Sequence, residues 1–130
     1  MPVVPFESTA VLLIAHGSRR ESANRDLAEL AEQIADRGPW RIVETSYLEL
    51  ADPTISAGAK RCIERGAAWV LMLPYFLSTG AHVTEDLRRY RDELAAAYPE
   101  VTFVLCPPLG PHPLLVELVI RRLEEEATDL

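Results

Sequence analysis

The sequence predicts an α/β domain built as a four-stranded parallel sheet, doubly wound, with helices on both faces. Three observations carry that prediction. Short, almost wholly apolar runs recur along the chain, too brief for helices and of the composition that strands covered on both faces require. Each strand-like run is followed by a longer segment with apolar residues at three- and four-residue spacing, the period of an amphipathic helix. Four strand-then-helix units in succession, joined by right-handed crossovers, distribute their helices over the two sides of one sheet. With 130 residues, 48% hydrophobic and 25% charged, the chain can bury one ordinary core, so residues 1–130 are expected to form a single domain.

The first strand covers residues 11–15, a continuous apolar run that stops at His16-Gly17-Ser18. Leu27, Leu30, Ala31, Ile34 and Ala35 then define a helix, with Ser22 or Asn24 as the expected cap and Gly38-Pro39 as the stop,. The second strand, 42–50, is β-branched and aromatic but carries Glu44, Thr45 and Ser46, which places it at a sheet edge. Asp52-Pro53 predicts a cap with proline at the first helical position, ahead of a face formed by Ile55, Ala59, Cys62 and Ile63 and a stop at Gly66,. Residues 68–73 form the third strand, halted by Pro74 and followed by a loop to about His82,. Val83, Leu87, Tyr90 and Leu94 mark the third helix, and 101–106 the fourth strand, closed by Pro107-Pro108,. The last helix is expected to pack through Val116, Val119, Ile120 and Leu123, leaving Glu124, Glu125 and Glu126 in water,.

Charge and motifs exclude several functions. A net charge of −7 has the wrong sign for a surface that neutralises nucleic-acid phosphates. No run approaches the roughly 20 apolar residues that span a bilayer, and the two cysteines, Cys62 and Cys106, lack CxxC spacing, so a reducing cytoplasm is the expected compartment. Neither GxGxxG nor GxxxxGK[ST] occurs, so no nucleotide is expected. GxSxG is also missing, and a histidine-phosphatase reading of His16-Gly17 fails because Ala15 stands where an arginine is needed,.

In doubly wound sheets ligands bind beyond the carboxyl ends of the strands. There the chain places His16 after the first strand, Glu49 at the end of the second and His82 after the third, successive residues being 33 apart, one strand-helix unit each. Neutral imidazole with carboxylate and no thiolate suits Co²⁺, Fe²⁺, Ni²⁺ or Zn²⁺ without selecting among them, and the same groups accept protons near neutral pH. Each residue alone also reads as an ordinary loop polar group. His112, between Pro111 and Pro113, reads as structural. Ser18 and Arg19 precede the first helix, where amides and a guanidinium can hold carboxylates. Phe76-Leu77 offers an apolar surface, and Ser78-Thr79-Gly80 lets backbone approach a ligand.

Four motifs in order, Ala15-His16-Gly17-Ser18-Arg19, Tyr47-Leu48-Glu49-Leu50-Ala51-Asp52-Pro53, Leu73-Pro74-Tyr75-Phe76-Leu77-Ser78-Thr79-Gly80-Ala81-His82 and Pro108-Leu109-Gly110-Pro111-His112-Pro113, resemble the sirohydrochlorin cobaltochelatase and ferrochelatase family. The resemblance implies a class II chelatase on a chelatase-like fold, inserting a divalent metal into the tetrapyrrole sirohydrochlorin without ATP. It implies that His16, Glu49 and His82 are the catalytic and metal-binding residues, and that a short chain works as a homodimer. Within it, Co²⁺ is favoured, Fe²⁺ next, and Ni²⁺ compatible with the donors. Ser18, Arg19, Phe76, Leu77, Ser78, Thr79 and Gly80 are the expected substrate contacts. The rival expectations are a non-catalytic carrier of metal or tetrapyrrole in the same crevice, and an interaction domain with incidental histidines.

Overall fold

The computed structural model describes residues 5–127. After a 3₁₀ turn at Phe6–Ser8, strand and helix alternate: β1 (Thr9–Ala15), α1 (Glu21–Arg37), β2 (Ile42–Tyr47), α2 (Ile55–Glu64), β3 (Trp69–Pro74), α3 (Ala81–Ala97), β4 (Thr102–Leu105) and α4 (Pro113–Ala127). The four strands form one sheet in the order β2-β1-β3-β4, with every neighbouring pair parallel. The direction of winding therefore reverses between β1 and β3, the switch point at which such sheets open a crevice.

Alternation along β1 divides the core. Ala10, Leu12 and Ile14 face a layer with Ile55, Ala59, Cys62, Leu87 and Leu94 from α2 and α3, whereas Val11 and Leu13 face Leu27 and Ala31 of α1. The central strand is thus covered on both sides, as its unbroken apolar sequence requires. The polar residues of the edge strand β2 are compatible with this: Ser46 is fully buried, and its hydroxyl donates to the Leu13 carbonyl at 3.0 Å, so no lone polar group remains there. α2 lies close on this region because Gly58 has no side chain. A Cβ there would stand 2.8 Å from Leu12 Cδ1 and 3.0 Å from Ser46 Cβ.

Several boundaries differ from the sequence reading. α1 starts at Glu21 with Arg20 at its N-cap and no side-chain cap. Neither Ser22 nor Asn24 caps it. α2 starts at Ile55, and its cap is Thr54, whose hydroxyl accepts from the Ala57 N–H at 3.2 Å. Asp52 is not the cap, and Pro53 lies outside the helix. A hydroxyl two residues downstream takes over the capping role expected of Asp52, for the helix that begins later,. Pro74 closes β3 from inside the strand. Its missing N–H is tolerated at a terminal position.

The largest difference lies in α4, none of whose residues is buried. Val116, Val119, Ile120 and Leu123, expected to pack, are 49–65% exposed. The connection from β4 carries the helix away from the sheet. Among the described residues, no strand or helix packs along it.

Candidate metal and substrate site at the strand ends

The backbone beyond β1 and β2 continues the sheet ladder for two further bonds. The Leu48 N–H donates to Ala15 O at 3.0 Å and the Glu49 N–H to His16 O at 3.1 Å. This brings two predicted residues together although they are far apart in sequence: His16 Nε2 lies 2.9 Å from Glu49 Oε1. Both side chains face solvent, 61% and 57% exposed, so the pair is accessible from the crevice. From across the switch point the Phe76 ring meets the His16 ring nearly at right angles, 84° between planes and 6.4 Å between centroids. The Phe76 loop is anchored at both sides, because Tyr75 N–H donates to Ile14 O at 2.7 Å and Phe76 O accepts from the Leu109 N–H at 3.0 Å.

Gly17 makes this approach possible. Its φ is +102°, and a Cβ there would stand 1.7 Å from the Glu49 carbonyl oxygen. No other residue can occupy the position without moving Glu49.

Three features of the surroundings escaped the sequence reading. Asn24, expected to cap α1, clasps the preceding loop instead. Its Oδ1 accepts from the Ser18 N–H at 3.1 Å and its Nδ2 donates to Ser18 O at 2.8 Å. Tyr47 is buried, and its hydroxyl donates to Asn24 O at 2.9 Å, tying the end of β2 to the start of α1. Burial holds the Tyr47 phenol above its ordinary pKa, which keeps it a donor. Leu50 adopts a left-handed conformation at φ +64°, the backbone reversal immediately after Glu49. Glycine after a strand-end histidine was an available signal for the close approach at Gly17, not for these three features. Nothing in sequence spacing marks them.

The remaining predicted residues are distributed around the pair. Ser18 Oγ accepts from the Arg20 N–H at 3.1 Å, and Arg19 is exposed. Leu77 is 70% exposed, Ser78 is exposed, Thr79 shares a 2.9 Å hydroxyl contact with Thr84, and Gly80 is the N-cap of α3. His82 is not ahead of that helix but in its first turn, as the second residue of α3, and it is exposed. Among the described residues no three of His, Cys, Asp and Glu lie close enough together to hold a metal ion. The structure therefore joins His16 to Glu49 and leaves His82 apart from them. His112 is structural here, its Nδ1 accepting from the Leu114 N–H at 3.0 Å at the start of α4.

The pair can act in two ways. An imidazole nitrogen and a carboxylate oxygen each about 2.1 Å from a metal and at right angles to one another are about 3.0 Å apart, close to the separation found. Relieved of a metal, the same two groups accept and pass a proton.

The fold and the site define a class: an open, doubly wound domain that carries an accessible imidazole–carboxylate pair beyond the ends of β1 and β2, with an aromatic ring beside it from the loop after β3. The CbiX family model matches residues 10–126, and the chain belongs to the CbiX family. It is 30% identical to the chloroplastic sirohydrochlorin ferrochelatase of Arabidopsis thaliana, over 91% of this chain and 52% of that protein. It is 33% identical to the sirohydrochlorin cobaltochelatase of Priestia megaterium, over 93% of this chain and 39% of that one. The chain thus spans about half the length, or less, of these relatives. It spans 95% of the sirohydrochlorin cobaltochelatase of Methanopyrus kandleri, at 27% identity and 89% coverage of this chain. Among solved structures, SirB of Bacillus subtilis subspecies spizizenii in complex with cobalt superposes with a TM-score of 0.82 at 30% identity, covering 91% of this chain and 50% of that chain. A CbiX protein of Marinobacter aquaeolei superposes equally well, 0.82 at 26% identity, over 94% of this chain and 99% of that chain.

Proposed function

We propose that this chain is a sirohydrochlorin chelatase that inserts a divalent metal into the macrocycle without nucleotide, Co²⁺ ahead of Fe²⁺, and that two copies act together in the cytoplasm. The observation that carries the reading is the His16–Glu49 pair, 2.9 Å apart and open to solvent beyond the ends of β1 and β2, in a chain of the CbiX family. Relatives bearing both cobalt and iron names support the reaction class and leave the order of metals to the assay.

Insertion balances as one metal dication entering the ring and two pyrrole N–H protons leaving it. His16 and Glu49 offer two donors to the arriving metal. Once it has passed to the ring nitrogens, they are free to take the protons. His82, from the first turn of α3, is proposed to meet the metal or the ring from the other rim of the crevice. The Phe76 and Leu77 side chains supply apolar contact to the macrocycle, and Arg19 a positive anchor for its carboxylates. Ser18, Ser78, Thr79 and Gly80 line its edge. In a chain of net charge −7 a local cation matters, because the overall field repels a polycarboxylate.

The test is a rate measurement with sirohydrochlorin, Co²⁺ or Fe²⁺ and substoichiometric protein, followed by absorbance against the spontaneous reaction. The wild-type chain is expected to accelerate insertion through many turnovers, and His16→Ala and Glu49→Gln each to reduce the rate at least 100-fold. Binding without acceleration would replace this reading with that of a carrier.

A further inference from the structure

A cavity of about 300 Å³ lies at the ends of β3 and β4, on the side of the sheet that α3 covers, a size at the lower end of small-ligand sites. One face of α3 forms its wall. Thr84, Leu87, Arg88 and Arg91 line it from the i, i+3, i+4 and i+7 positions of that helix, which share a side. The floor is apolar, with Leu87 and Pro74 fully buried and Leu105 packed against the same core layer. Pro107 and Pro108 complete the lining with backbone that has no N–H to donate, so any polar recognition falls to side chains.

The arginines of α3 divide by face. Arg89, which does not line the cavity, has Asp86 at 3.5 Å and Glu93 at 3.9 Å, and its guanidinium lies over the Tyr90 ring. The two that line the cavity have less. Arg91 donates from Nε to Asp92 Oδ1 at 3.1 Å, a contact that leaves both terminal nitrogens of its fork to other partners. Arg88 makes no ion pair or hydrogen bond among the described residues. Among those residues no carboxylate lines the cavity, although the chain holds 20 acids against 13 Lys and Arg. Like charges one turn apart on a helix repel, and an anion held between them removes that repulsion.

A further donor stands beside the guanidinium groups. The Thr79 and Thr84 hydroxyls are 2.9 Å apart and both line the cavity. One of their two protons serves that contact, and the other is left to donate. The charges fix the valence of what fits: two guanidinium groups with the Asp92 carboxylate on one of them leave a single positive charge unanswered, which suits a monoanion. The apolar floor asks for a carbon body behind it.

We propose that this cavity binds an organic carboxylate, with Arg88 and Arg91 on the carboxylate oxygens, the Thr79–Thr84 hydroxyl pair donating to the same group, and the carbon body against Leu87 and Leu105. Arginine forks are suited to that head group because two parallel N–H bonds match its two oxygens. Two molecules can present it: a free small acid, or a peripheral arm of the macrocycle. The second source rests on the chelatase reading, and the first does not. The loop from Tyr75 to Gly80 borders both places, with Phe76 against His16 and Thr79 on the cavity, and β4 stands two strands, about 10 Å, from β1,.

The test titrates the full chain with benzoate and with 3-methylbutanoate, each a carboxylate on a compact apolar body, and follows backbone amide resonances. At least one acid is expected to saturate by 10 mM, with shifts centred on Thr79, Thr84 and Cys106. The matching amides, of the same shape without the charge, are expected to bind at least 10-fold more weakly. Arg88→Gln is expected to weaken the acid at least 10-fold, whereas Arg89→Gln leaves it unchanged. Cys106 lines the same cavity, so its alkylation by N-ethylmaleimide is expected to slow when the acid is bound, while the fully buried Cys62 stays unlabelled. Binding of neither acid at 10 mM, amides that bind as well as acids, or Arg88→Gln binding like the wild type would each overturn the proposal. Sirohydrochlorin assigns the source. Displacement of the bound acid, with KM raised and kcat kept in Arg88→Gln, identifies an arm of the macrocycle, and an acid that stays bound beside sirohydrochlorin identifies a free ligand. Failure of metal insertion with acid binding intact would count against the chelatase reading alone.

Discussion

At Gly17 one absent methyl group sets the distance between imidazole and carboxylate. With a Cβ 1.7 Å from Glu49 O and φ at +102°, Gly17→Ala must displace the Glu49 backbone as well as hold alanine in a left-handed conformation, which itself costs about 1–2 kcal/mol. The expected result is metal insertion reduced at least 10-fold, with far-UV circular dichroism unchanged and the urea midpoint lowered. Activity retained with full stability would show that the Glu49 position is not critical. Asn24 makes a different contribution. Its two bonds to Ser18 hold the loop carrying Arg19, so Asn24→Ala is expected to raise KM for the tetrapyrrole several-fold with little change in kcat. At this scale the sequence indicated the residues that meet, His16 and Glu49, better than the contacts that hold them. His16 and Glu49 were identifiable because strand ends can be placed from apolar runs. Asn24 was read as a cap because its type favours caps, and only the path of the preceding loop makes the Ser18 backbone its partner. The place of His82 was equally hidden, since a position after the third strand does not say that the residue already belongs to the first turn of α3.

Among the elements, α2 shows how close packing governs chemistry away from the crevice. Cys62 lies fully buried on its inner face, and burial, reinforced by the nearby Glu44 carboxylate, pushes its thiol up to about 12 from an ordinary 9.0. The folded chain therefore keeps this proton over a range in which the unfolded chain releases it. Stability from this group is complete below about pH 9 and declines as pH rises toward 12. Urea melts between pH 8 and 11 are expected to show an alkaline loss that is smaller in Cys62→Ala, after allowance for its lower starting stability. The thiol is also expected to resist maleimide at pH 7.5 in the native state. All four strands and all four helices were legible as elements, because β1 and β3 are too short and too apolar to be anything but covered strands. Their ends were less so. Thr54 caps α2 where Asp52 was expected, because a cap depends on where the chain turns rather than on residue preference alone.

For the whole molecule, the parallel sheet and its two-sided core follow from the alternation of elements, whereas the order of the strands and the resting place of α4 do not. Its apolar positions were expected to pack and stand exposed instead, because a helical pattern does not say which body, in or outside its own chain, would cover it. If two copies share that surface, thermal stability must depend on protein concentration. The midpoint of unfolding is expected to rise measurably between 1 and 100 μM for the wild type and to stay constant for Val119→Glu. The crevice has a further property of whole-molecule origin. His16, Glu49 and Phe76 are carried on backbone tied directly to the sheet, through Glu49 to His16, Leu48 to Ala15 and Tyr75 to Ile14, rather than on free-standing loops. Such a platform is an anvil: it has no slack with which to follow the shape of what it receives. In the proposed reaction, any bending needed to bring ring nitrogens to the ion falls on the macrocycle, so a stiffer tetrapyrrole should be a slower substrate even when it binds as tightly.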